Sequence, residues 1–155
     1  MNKLLASALL VISASSWAAE NWTPVKSGPL GNTAEISTPG KKVELIWANR
    51  ISPGEQLLLT KAVYTRYEIT YFHRYVFTGI EGNSARIESS GASQEKGQKS
   101  AQSDKSFEKV MLIERSKDGS FYFAPSDIKD EAVFRISGPL DRSSDYEVTL
   151  EKATK

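Results

Sequence analysis

Residues 62–78 read AVYTRYEITYFHRYVFT, and whether this run is a helix or a strand decides the fold class. One cue favours a helix. Just upstream, Ser52-Pro53-Gly54-Glu55 matches a capping box with Pro at the first helical position. The composition of the run argues the other way. Of the 16 residues from Val63 to Thr78, 12 are Val, Ile, Thr, Tyr or Phe, types that lose rotamer freedom in a helix and pack well on a pleated surface. The pattern also repeats every second residue. Val63, Thr65, Tyr67, Ile69, Tyr71, His73, Tyr75 and Phe77 form an apolar and aromatic face, while the alternate positions include Arg66, Glu68, Thr70 and Arg74. The run is therefore predicted to be a strand. Seventeen residues would extend about 56 Å at roughly 3.3 Å per residue, too far for a straight strand in a small domain. It is expected to bend or bulge near its middle, serving two sheets or wrapping a barrel.

Outward from this run, Thr38-Pro39-Gly40, Ser52-Pro53-Gly54, residues 79–83, Lys117-Asp118-Gly119 and Ser137-Gly138-Pro139 are turn signals. They separate shorter apolar runs at 34–37, 43–48, 85–89, 107–115, 121–124, 132–136 and 146–150. Together with the long run, which starts at Leu57, these predict a mainly β chain. The fold class is an antiparallel β-sandwich or small β-barrel of about eight strands, with one long bent strand at 62–78. Lys117-Asp118-Gly119 is expected to turn a hairpin between 107–115 and 121–124. Val110 to Ile113, apolar at four successive positions, suggests a strand covered on both faces. Ser89 to Ser106, SSGASQEKGQKSAQSDKS, has no aromatic or β-branched side chain and is expected to be a flexible polar loop.

The first 18 residues read as a signal peptide. Lys3 supplies the positive start, Leu4 to Ile12 the apolar stretch, and Ser16-Trp17-Ala18 the small residues before a cut between Ala18 and Ala19. The apolar stretch gives way to Ser13, Ser15 and Ser16, short of the roughly 20 residues of a membrane span. Residues 19–155 are then expected to form one soluble β domain, periplasmic or secreted, without stable membrane insertion. An outer-membrane barrel is disfavoured because most runs are shorter than the roughly 9–11 residues its strands need.

Composition removes several chemistries. The chain has no Cys and one His, so thiol nucleophiles and multi-histidine or cysteine metal sites are excluded. It carries 20 Lys plus Arg against 19 Asp plus Glu; without Lys3 the expected mature domain is neutral, with no footprint for nucleic acid. No glycine-rich phosphate loop and no Gly-x-Ser-x-Gly elbow occurs, and no cofactor is indicated.

Two function classes follow. In the first, the protein is a non-enzymatic binding or interaction module whose partner is a protein or a small apolar ligand. Tyr67, Tyr71, His73 and Tyr75 are then the candidate ligand-binding residues, because hydroxyls and an imidazole can orient a ligand within an apolar site. In the alternative, the protein is a small secreted hydrolase working through carboxylates, with Asp127, Asp130 and Glu131 as the candidate acid and base. The segment that holds the first of these acids, Ser126-Asp127-Ile128-Lys129, is itself predicted to be a turn or one short helical turn.

Overall fold

The computed structural model describes residues 30–140 and 144–152. The predicted signal peptide and its cleavage point at Ala18 and Ala19 lie outside the described residues. The described residues form two antiparallel sheets of seven and four strands packed together, with no closure into a barrel. In chain order the strands are β1 (Leu30–Thr38), β2 (Lys41–Ala48), β3 (Arg50–Ile51), β4 (Glu55–Tyr64), β5 (Ile69–Glu81), β6 (Ser84–Glu95), β7 (Gln102–Ser103), β8 (Lys109–Glu114), β9 (Phe121–Phe123), β10 (Ala132–Ser137) and β11 (Tyr146–Lys152). The first sheet runs β1-β2-β4-β5-β6, with β7 and β8 end to end along the far edge of β6. The second runs β3-β11-β10-β9. No helix among the described residues is long and apolar enough to cross a membrane.

The run at 62–78 is not one long strand. It folds back on itself: Thr65 to Glu68 make a four-residue turn, and Tyr64 on β4 pairs with Ile69 on β5 in the same sheet. The turn contains no Gly, Pro, Asn or Asp, so it carried none of the usual punctuation. The chain closes it with Glu68 in the left-handed region at φ 54°. The upstream Ser52–Glu55 segment is equally instructive. The Ser52 backbone N–H donates to Glu55 Oε1 at 2.7 Å, as in a capping box, yet Gly54 takes φ 96° and the chain enters β4 instead of a helix.

Three further expectations are corrected. Ser89 to Glu95, assigned to a polar loop, continue β6 and pair with β5 from Tyr75 back to Ile69. Small and polar side chains are no obstacle in a strand held between two neighbours along its length. Strands β8 and β9 do not form a hairpin with each other; β8 pairs with β6 and β9 with β10, so the 115–120 connection crosses from one sheet to the other. Finally, β8 is covered on one face only, with Val110 56% and Leu112 53% exposed. Among the described residues the count rises from about eight strands to eleven, and β4, β5 and β6 reach 10, 13 and 12 residues. The shortness of the apolar runs was therefore no guide to strand length.

Between the sheets, three ring pairs bridge the layers: Trp47 with Phe134 at 5.6 Å, Tyr75 with Phe123 at 5.0 Å and Phe77 with Tyr146 at 5.1 Å, all edge to face. The second sheet is apolar on one side only; β10 alternates buried Ala132, Phe134 and Ile136 with half-exposed Val133, Arg135 and Ser137.

Candidate functional site

The β4–β5 hairpin places Tyr71, His73 and Tyr75 on the face that meets the second sheet. Register sets His73 opposite Thr60 on β4 and opposite Gly91 on β6. Gly91 is required there by space: a Cβ would lie 2.7 Å from the Phe72 carbonyl oxygen and 2.9 Å from a Phe107 ring carbon. Its absence lets Phe107, at the end of the short 3-10 turn Lys105–Phe107, lay its ring 4.9 Å from the His73 ring and 5.8 Å from Tyr71. Tyr67 stands apart from these residues. It occupies the hairpin turn, 65% exposed, with the Arg66 guanidinium over its ring.

Asp127 arrives from the other layer. After β9 the chain makes successive turns, in which the Ile128 N–H donates to the Pro125 carbonyl and the Ala132 N–H to the Ile128 carbonyl. This agrees with the predicted turn at 126–129. Ile128 is completely buried and anchors the segment in the core, which swings its neighbour Asp127 inward to 6% exposure. Lys41 ties the segment to the first sheet: its Nζ donates to the Asp127 carbonyl at 2.6 Å and to Glu131 Oε1 at 3.1 Å.

The Asp127 carboxylate accepts a hydrogen bond from Tyr64 Oη at 2.5 Å on one oxygen and faces His73 Nδ1 at 3.3 Å on the other. The second contact is within ion-pair reach but lacks the alignment of a hydrogen bond. Neither His73 Nδ1 nor Asp127 Oδ2 has another hydrogen-bond partner, and Thr60 Oγ1 close by is buried without one. Burial pushes the Asp127 carboxyl up; the contacts of His73 and Tyr64, with the charge of Lys41, more than offset this and hold it below the usual carboxylate range. Burial, reinforced by the Asp127 charge, raises the phenols of Tyr64 and Tyr75 well above their ordinary value, so both stay protonated donors.

His73, Tyr75 and Asp127, but not Tyr64, border a cavity of about 420 Å³ between the layers. Tyr71, His73, Tyr75 and Phe107 line it from the first sheet, with Met111 of β8, and Phe123 and Asp127 line it from the other side. Lys109 and Lys129 also line it, one from either side. Three of the four residues read as ligand-binding thus share one cavity with the first residue of the carboxylate reading. Asp127 is the only carboxylate lining it among the described residues. Asp130 and Glu131 border a different hollow, with Ala34, Ile36 and Leu150. No group of three potential metal ligands occurs among the described residues.

Phe107 and Met111 were missed as site residues. Their apolar character was visible, but nothing local marks which apolar side chain fills a core and which lines a hollow. Comparison with known proteins gives no relative to set beside this geometry: no family model, no curated protein and no solved structure matches the chain.

Proposed function

We propose that the protein is an exported, non-enzymatic binding module whose inter-sheet cavity takes a small, largely apolar ligand. The observation that carries this reading is an aromatic-walled cavity of about 420 Å³ whose lining includes the polar side chains of Tyr71, His73, Tyr75 and Asp127. Cavities of roughly 300–1,000 Å³, apolar with a few convergent polar groups, are the usual form of small-molecule sites. The carboxylate hydrolase draws less support, since its mechanism needs two acids flanking one bond and the cavity presents one.

The test uses protein recovered from the envelope or medium of an expressing host, expected to begin at Ala19. Titration with phenylnaphthylamine, a neutral fluorescent aromatic, is expected to saturate at one molecule per chain. Ala124→Trp places a large ring at an exposed loop position on the cavity lining and is expected to weaken binding at least tenfold with the far-UV spectrum unchanged. Undiminished binding in a folded Ala124→Trp variant would sink the proposal. Tyr71→Phe and Tyr75→Phe then ask whether the hydroxyls, rather than the rings, contribute.

A further inference from the structure

Resting on the ligand reading just given, the cavity's own charges define the ligand more closely. Among its lining residues the ionised groups are Lys109, Lys129 and Asp127, with His73 beside Asp127. The two kinds of charge are placed differently. Asp127 is buried and already engaged: Tyr64 donates to it, His73 faces it, and the Lys41 ammonium sits on its carbonyl. A cationic ligand would have to compete with these groups and pass two lysines on the way in. Lys109 and Lys129 are both exposed, one on β8 of the first sheet and the other on the turns that follow β9 in the second. Neither makes an ion pair with a described residue, whereas Lys41, Lys42, Lys61 and Lys96 all do. Their acidic chain neighbours, Glu108 and Asp130, do not line the cavity; Glu108 and Glu88 share a separate hollow with Lys109 on its outer side. The solvent end of the cavity is thus positive from both layers, and its depth is aromatic.

We propose that the cavity binds small monoanionic amphiphiles, with an aryl or short acyl body against Tyr71, Phe107 and Phe123 and a carboxylate or sulfonate held at the mouth by Lys109 and Lys129. The volume suits one such molecule and not a two-chain lipid. The anionic head would stay in the wet, positive mouth, where it keeps part of its hydration, and the apolar body would supply most of the affinity by leaving water.

Two probes that share one ring system separate this proposal from the reading beneath it: phenylnaphthylamine, which is neutral, and anilinonaphthalene sulfonate, which adds one negative charge. The sulfonate is expected to bind about tenfold more tightly than the neutral probe at low salt, and the gap is expected to narrow as ionic strength rises. Lys109→Gln with Lys129→Gln is expected to weaken the sulfonate by about the same factor and leave the neutral probe unchanged. Both substitutions sit at exposed positions, so folding is retained. If the two probes bind equally and the lysine variants alter neither, the anionic preference is overturned while the cavity stands as a site. If Ala124→Trp and Met111→Trp, both folded, leave the two probes bound as before, binding lies elsewhere and both readings fall. Ordinary competition by octanoate or naphthoate, but not by octanol or naphthol, would extend the assignment from the probes to carboxylates.

Discussion

At the scale of single residues, Asp127 decides most. It is a carboxylate buried to 6% exposure whose burial alone would favour the neutral acid, yet Tyr64, His73 and Lys41 keep it ionised. The sign of the pH effect follows from the direction of that shift. Its folded pKa lies below the ordinary value of about 3.9, so its contribution to stability is fully present above that value and is lost as pH falls through the lower, folded one. Asp127→Asn keeps the shape and an acceptor for Tyr64 but removes the charge. It is expected to lower the unfolding free energy by about 2 kcal/mol near neutral pH. Urea titrations of the two proteins should converge as pH drops below about 4. A difference that stays constant from pH 7 to pH 2 would show that the charge contributes nothing and that only the packing of the side chain matters.

At the scale of elements, the β4–β5 hairpin governs the site, because the turn at 65–68 sets which side of β5 faces the second sheet. A slip of one residue would carry Tyr71, His73 and Tyr75 to the opposite face. The turn ends on Glu68 at φ 54°, a conformation that costs a residue with a Cβ about 1–2 kcal/mol. Part of that cost is offset by the bond from the Lys96 N–H to the Glu68 carbonyl, which any residue at 68 would keep. The side chain contributes only an exposed contact with Lys96, worth little in water. Glu68→Gly therefore relieves strain at the expense of some unfolded-state entropy and is expected to raise stability by roughly 0.5–1 kcal/mol. Thermal unfolding monitored by circular dichroism would show a higher midpoint. A lower one would mean that the Lys96 pair, not the backbone, holds the turn.

At the scale of the whole molecule, stability without cysteine rests on how the two sheets grip each other. The Trp47–Phe134, Tyr75–Phe123 and Phe77–Tyr146 pairs each join one layer to the other, so neither sheet keeps its inner face dry alone. Removing Phe134, which is wholly buried, should be felt across the domain. Phe134→Ala is expected to cost about 4 kcal/mol, a large part of the typical 5–15 kcal/mol of a small domain. Unfolding should remain one transition, with tryptophan fluorescence and far-UV circular dichroism coincident. Separate midpoints for the two signals would mean that the sheets unfold independently.

Local chemistry made the β class legible. Alternation and β-branched content in 69–77 put Tyr71, His73 and Tyr75 on one face, and the Ser126-Asp127-Ile128-Lys129 turn could be read from its residue types. The hairpin inside 62–78 was not legible, because Thr65-Arg66-Tyr67-Glu68 has strand-like propensity and turns only where pairing of β4 with β5 outweighs the cost at Glu68. Nor was the strand at 89–95, whose small residues have no preference of their own and are ordered by the β5 ladder on one side and by β7 and β8 on the other. The site itself lay furthest from view. Tyr64 and Asp127 are 63 residues apart and Lys41 and Glu131 are 90 apart. Composition and period act over a few neighbouring residues, whereas a cavity is the space left between two layers once both have packed. Residue types and alternation were therefore enough to name the aromatic face, and only the docking of the second sheet determined that Asp127 and Lys129 would meet it.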